Sequence, residues 1–331
     1  MTVGVVAVTR KQSDDNPFPL IRIPMPQLIL SPVGTSILRS ATHSDDETSQ
    51  LFAGANISPT NPPDAHAELA ATLQARALSE GREASVEALR DASAELNAIF
   101  GMGATGTGDL HLLVATDTLY GRTAADVIAT LLRERGASVN VLEPRGLTTA
   151  TPEAFAQGIK TLFQLCGDHI PPYREKGYEV VFNLTGGFKS LQGYLNTVGM
   201  LYADRMVYIF ERSTELIEIP RLPLHLDADA DVADYRRELL LLDVGYPLPP
   251  TDVRGLSDVF YDVMDGVAVL TEWGTALWGT RKRDLLAGWF PDLPHITYRR
   301  SVQKDIERRA RPDEHVRILE RLAAAAAQWE Y

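Results

Sequence analysis

The chain is nearly without cysteine: Cys166 is the single one in 331 residues. One thiol excludes a disulfide framework and a thiolate metal cluster, and it suits a reducing cytoplasmic compartment. No apolar run approaches the roughly 20 residues that span a bilayer, so no membrane partner is expected. No charged-then-apolar secretory leader is visible either. Positive charge is scarce, with 32 Lys and Arg against 44 Asp and Glu and a net charge of -12. That balance argues against a protein that coats nucleic acid over its whole surface, while leaving room for a local basic patch. Common catalytic strings are missing too. There is no H-E-x-x-H, and His43, His66, His111 and His225 are scattered, so no metal site is expected. No carboxylate stands two residues before a lysine, which removes a restriction-type metal nuclease.

What is present is ample core material. Hydrophobic residues make up 45% of the chain, and its length favours two or three units. Met1 to Pro24 read as a loose extension ahead of a second methionine, Met25; an upstream start is the other reading. "PQLIL" is a short apolar run, and Thr42 to Asp64 is polar and proline-rich. Ala-, Leu- and Glu-rich sequence to about Phe100 reads as helix. Strands and helices then alternate. "LHLLVATD", "SVNVLEP", "YEVVFNL" and "RMVYIFE" are apolar runs of strand length. Between them lie "RTAADVIATLLRERG", "TPEAFAQGIKTLFQLCG" closed by Gly167, and "FKSLQGYLNTVGMLYA". Such alternation predicts an α/β fold with a parallel sheet covered on both faces.

Three of these strands end in small, hydrogen-bonding residues: "SPVGTS", "ATDTLYG" and "NLTGG". In an open α/β sheet, ligands bind beyond the strand carboxyl ends where the strand order reverses. "NLTGGFKS" runs straight into a helix, whose N-terminus offers free N–H groups and partial positive charge. Gly186 and Gly187 allow close backbone approach, Lys189 adds charge, and Thr185 and Ser190 add hydroxyls. The chemistry suggested is recognition of an anion, a nucleotide above all. The competing reading is a plain tight turn. Phe188 separates Gly187 from Lys189, so the P-loop string G-x-x-x-x-G-K-[ST] fails, and no G-x-G-x-x-G opens a helix.

These same strings resemble a known family. "LILSPVGTSILRS", "HLLVATDTLYGRTAADVIATLLRERG" and "VVFNLTGGFKSLQGYLNTVGMLYADRMVYIFE" look like the CARF domain of CRISPR-associated proteins, over roughly Met25 to Pro220. The resemblance implies a Rossmann-like homodimer that binds a cyclic oligoadenylate, with cyclic tetra-adenylate the ring expected from the family, and no other cofactor. Carried over by position, it puts Gly34, Thr35 and Ser36 at the ligand from the first loop. From the second come Asn183, Thr185, Gly186, Gly187, Phe188, Lys189 and Ser190. Thr116 and Asp117 are weaker candidates, and Asp117 has a loop-orienting or helix-capping alternative.

The implied layout is an N-terminal extension over 1–24, a ligand-sensing domain over 25–225, a winged-helix-like connector over 226–290 and a partial effector over 291–331. In the connector, Trp273, Leu277 and Trp278 share a helical face and read as core, and "RKR" (Arg281–Arg283) is its one basic run. "PHITYRRSVQKDIERRARPDEHVRILERLAAAAAQWEY" reads as a short strand, "HITY", and a helical hairpin. Val302 and Ile306 are expected inward on its first helix, and Val316, Leu319, Leu322 and Trp329 line the second. From His295 to Arg321 there are eight Lys and Arg against five acids. The segment resembles the opening of RelE-like toxins, ribosome-dependent mRNA endonucleases. That implies RNA or ribosome contact through Arg299, Arg300, Lys304, Arg308 and Arg309. In that family the hairpin is followed by a sheet carrying the catalytic residues. The sequence given stops at Tyr331, ahead of such a sheet, so no catalytic residue is assigned. "RPDEH" has too few residues between Arg311 and His315 for the HEPN ribonuclease signature. The leading expectation is a type III CRISPR ancillary effector; a ring nuclease cleaving its own ligand and a ligand-responsive transcription regulator are the alternatives.

Overall fold

The computed structural model describes residues 25–104, 108–210, 213–222 and 229–329. The expected N-terminal extension and His225 lie outside the described residues. A six-stranded sheet forms the centre, in the order β3-β2-β1-β4-β5-β6. Its strands are β1 (Gln27–Pro32), β2 (Leu110–Val114), β3 (Ser138–Leu142), β4 (Glu179–Asn183), β5 (Arg205–Ile209) and β6 (Leu216–Ile219). The first five are parallel, with Leu28 opposite Leu110 on one side and Val180 on the other. β6 returns antiparallel against β5, an edge strand absent from the sequence expectation.

Helices cover both faces. On one lie α1 (Ser36–Ser40), α2 (Asp45–Ala53), α3 (Asp64–Glu83), α4 (Val86–Ala92), α5 (Ala94–Gly101) and α6 (Leu119–Glu134). α2 lies inside the polar, proline-rich stretch; Ser44 caps it by accepting a bond from the Glu47 N–H, with three acids in its first turn. On the other face lie α7 (Pro152–Glu175) and α8 (Lys189–Tyr202). Leu28, Leu30, Val180 and Phe182 point toward these two, and Ile29 and Val181 point away, as the strand period of two requires. The order in which successive strands are added reverses between β1 and β4, which are parallel neighbours.

α7 does not stop at Gly167 as expected. That glycine is in the helix interior for packing: a Cβ on it would lie 3.2 Å from the Cα of Gly279. Gly279 belongs to α11 (Glu272–Leu286). Around α11 gather α9 (Asp229–Asp234), α10 (Arg236–Asp243), the hairpin of β7 (Tyr261–Met264) and β8 (Val267–Leu270), which touches it through β8, and α13 (Pro312–Gln328); α12 (Arg300–Arg309) precedes α13 in the chain. α11 is buried on two sides. Leu277 and Trp278 enter a core with Leu239, Phe260, Val316 and Leu319. Trp273 instead packs on the sheet domain, stacked on Tyr194 of α8 at 5.6 Å and beside Phe163 of α7.

The C-terminal stretch departs from expectation in three places. "HITY" is not a strand: His295 has a φ of 59°, and among the described residues no strand pairs with it. Val302 does not turn inward, being 47% exposed, and α12 has no buried residue at all. Trp329 lies past the end of α13, exposed and stacked on His295, while Val316 and Leu319 are buried as expected.

Candidate functional site

Both expected loops emerge at the carboxyl ends of β1 and β4, the adjacent strands where the sheet reverses. They touch: a Cβ on Gly34 would lie 3.3 Å from the backbone N of Gly187. Gly187 itself has a φ of 80°, a left-handed conformation that glycine adopts without steric cost. The structure therefore brings Gly34 against Gly187, and sets Gly34, Ser36 and Gly186 around one side chain, Glu95.

What organises the loops is a residue that sequence reasoning missed. Glu95, on the first turn of α5, is 0% exposed. One carboxylate oxygen accepts the Gly34 N–H at 2.7 Å. The other accepts the hydroxyls of Ser36 at 3.1 Å and Ser93 at 2.7 Å. A Cβ on Gly186 would fall 2.1 Å from Glu95 Oε1, so residue 186 is glycine because this side chain is there. Buried Asn183 donates to the Ser31 hydroxyl at 3.1 Å and to the Glu95 carbonyl at 3.3 Å. Its own side-chain oxygen accepts the Thr185 N–H, and Thr185 Oγ1 accepts the Ile209 N–H. Asn183, Thr185, Gly186 and Ser36 are thus committed to the scaffold. In the sequence, "SAELN" reads only as a helix start with a favourable acid in its first turn. Nothing local marks Glu95 as buried.

The outer rim is open. Phe188, at the N-cap of α8, provides no side-chain cap for the helix. Lys189 and Ser190 are exposed at the first helical positions, and Gly187 and Phe188 are half-buried. This rim has free helix N–H groups, an ammonium and a hydroxyl, a set suited to phosphate oxygens. Thr116 and Asp117 make no hydrogen bond to either loop among the described residues. Thr116 shares a hydroxyl bond with Thr118, the N-cap of α6. Asp117 accepts from Arg122 at 2.8 Å and from the Gly146 N–H at 2.9 Å. It orients the loop after β3, the alternative raised for it.

The helix that starts at this rim leads to the C-terminal unit. Besides the Tyr194–Trp273 stack, the Tyr202 hydroxyl of α8 donates to the Ala276 carbonyl of α11 at 2.9 Å. Further along α11, Lys282 is 7% exposed and meets Asp168 of α7, Asp243 of α10 and Glu320 of α13 at 3.1, 3.6 and 2.7 Å. Burial disfavours its charge, but the three carboxylates outweigh this and hold its pKa above the usual lysine value. Burial raises the Glu320 carboxyl despite Lys282. Arg283 pairs with Glu175 and Asp313. Two of the three residues of "RKR" are thus spent inside the molecule. Cys166 is buried, and its thiol is pushed up to about 12 by burial and by Asp168. It is therefore protonated and inert at neutral pH.

Arg299, Arg300, Lys304, Arg308 and Arg309 are all exposed, on and beside α12. They form a basic surface well separated in sequence from the two loops. Among the described residues no group of His, Cys, Asp and Glu could hold a metal ion, and no helix is long and apolar enough to cross a membrane.

No curated protein matches the chain. Over residues 90–222, from the end of α4 to just past β6 and including the second loop but not the first, the sequence matches the model of a CRISPR-associated protein family, Cas_APE2256.

Proposed function

We propose that the chain is a cyclic-oligoadenylate sensor of a type III CRISPR system, built on a Rossmann-like CARF domain. It acts as a homodimer and passes the binding event to a C-terminal unit whose exposed basic helix α12 would contact ribosome-bound mRNA, the RelE-like part of the reading. The observation that carries this reading is the meeting of the two loops at the sheet's reversal point, with the uncapped start of α8, Lys189 and Ser190 on their open rim. The CRISPR-associated match over 90–222 supports the same context. A ring of phosphodiesters with rotational symmetry suits two such rims facing each other across a dimer axis. A shift of α8 on binding would reach α11 through Trp273 and Ala276, and from there α13, so the ligand can favour one arrangement of the C-terminal helices. Arg299, Arg300, Lys304, Arg308 and Arg309 are exposed and would supply RNA phosphate contacts.

The transcription-regulator alternative is weakened by the internal pairing of Lys282 and Arg283. For the ring-nuclease alternative, the Ser36 hydroxyl is already donated to Glu95, which leaves Lys189, Ser190 and the Thr185 O–H as the groups that could position a cleavage. Incubating the protein with cyclic tetra-adenylate separates the readings. Binding without ring opening supports the sensor, ring opening supports the nuclease, and no binding overturns both.

A further inference from the structure

The inner floor of the candidate site is closed by a carboxylate, which is unexpected beside a site for an anion. Glu95 is fully buried, and its hydrogen bonds come from neutral groups alone: the Gly34 N–H and the Ser36 and Ser93 hydroxyls. No ion pair to it occurs among the described residues, and the nearby polar side chains Ser31 and Asn183 are also neutral. Three neutral donors and the partial positive start of α5 face the carboxylate, and no cation does. Two of the donors that an incoming phosphate would seek, the Gly34 N–H and the Ser36 hydroxyl, already serve it. Gly186 packs against the same oxygen with no room for a Cβ, so one side chain adjoins both loops.

We propose that Glu95 is the specificity-setting residue of this site. It acts as an internal anion that fills the inner donors, holds the two loops in register and repels free anions. A ligand is then admitted only at the outer rim, where Lys189 and the first N–H groups of α8 lie. The consequence is selection by shape and charge spacing. A small free anion such as inorganic phosphate meets an occupied floor and a repulsive field. A large ring spreads its phosphates over the rims and gains contacts that a single phosphate cannot make. This inference rests on the ligand reading above, but its test separates the two.

The substitution is Glu95→Gln. Glutamine keeps an oxygen for the Gly34 N–H and can donate its amide to the serine oxygens, so the loops stay ordered while the charge disappears. At an effective dielectric near 20 and a separation of roughly 10 Å, losing the repulsion should tighten cyclic tetra-adenylate by roughly five- to twentyfold. Inorganic phosphate should show no measurable binding to the wild type at millimolar concentration and should become a detectable ligand of the variant. Unchanged or weaker binding of both probes by a variant that melts like the wild type would overturn the proposal. Phosphate binding gained by Glu95→Gln, with cyclic tetra-adenylate bound by neither protein, would support Glu95's role and refute the ligand reading.

A second variant covers misfolding of the first. Ser93→Ala keeps the charge and removes one bond that anchors it, outside the ligand-contacting loops. It should weaken cyclic tetra-adenylate by about fivefold, the value of one hydrogen bond. Because Ser93 also caps α5, a lowered melting temperature alone is the result of a merely structural role. Lowered melting with unchanged ligand affinity would therefore count against the proposal.

Discussion

Replacing Lys282 by methionine tests whether α11 is clamped electrostatically at the junction. The substitution keeps the apolar stem in place and deletes only the ammonium. It leaves Asp243, whose side chain is 8% exposed, with hydrogen bonds from Trp278 and Gln164 but no counter-charge. Glu320, 25% exposed, loses its ion pair, while Asp168, 54% exposed, is solvated and loses little. Removing one partner of a buried ionic cluster costs about 3–5 kcal/mol, because the remaining charges stay buried and uncompensated. At about 2 cal/mol/K of unfolding entropy per residue, a loss of 4 kcal/mol in a chain of this size lowers the melting midpoint by about 6 °C. Calorimetric or circular-dichroism melting reads this directly. Adding Asp243→Asn should recover about half of the loss, since it removes the more buried of the stranded charges. If Lys282→Met melts within 1 °C of the wild type, the carboxylates are not charged and buried together, and the clamp does not exist.

Three further outcomes follow from the same structure. The raised Lys282 pKa gives alkaline sensitivity: its contribution is fully present below the ordinary value of 10.5 and is lost as pH climbs through the higher folded value. The wild type should therefore lose stability above about pH 10.5 more steeply than Lys282→Met, and parallel alkaline melting curves would contradict this. Gly186→Ala, whose Cβ would fall 2.1 Å from Glu95 Oε1, should cost about 1–3 kcal/mol of overpacking. Gly193→Ala, in the interior of α8 with no atom within 4 Å of its Cβ, should instead stabilise by about 0.5–1 kcal/mol. Denaturant titration of the two should give shifts of opposite sign. Lys189→Ala removes an exposed side chain, so melting should stay unchanged while cyclic tetra-adenylate weakens about tenfold, as expected for a charge-assisted contact. Unchanged affinity would remove Lys189 from the site.

Much of the sheet domain was legible because its strands are short apolar runs and its helices carry period and punctuation. "VVFNLTGGFKS" announces a strand, a turn and a helix start by composition alone, and the structure places them so. Gly167 shows the limit of that reading. A glycine in the interior of α7 for a close helix crossing has the same local look as one that ends a helix. Trp273 and Trp278 are five residues apart, yet they enter different cores, and only the packing of α11 between two units decides which. The floor of the site was hidden for a related reason. Glu95 is brought under the Gly34 and Gly186 loops by α5, from 61 residues away along the chain in the first case. An acid at a helix start carries no local sign that tertiary structure will bury it. "HITY" has strand-like residues, but a strand exists only where a partner is available to pair with it.

The proposed function requires the two-loop rim to receive a cyclic oligoadenylate across a pair of chains. The most direct measurement is a calorimetric titration of the protein with cyclic tetra-adenylate, alongside light scattering of the same sample. A dimer is expected before ligand is added, with saturation at one ring per two chains for the wild type and weaker binding by Lys189→Ala. A monomer that takes up no cyclic tetra-adenylate, or binding that Lys189→Ala leaves untouched, would contradict it.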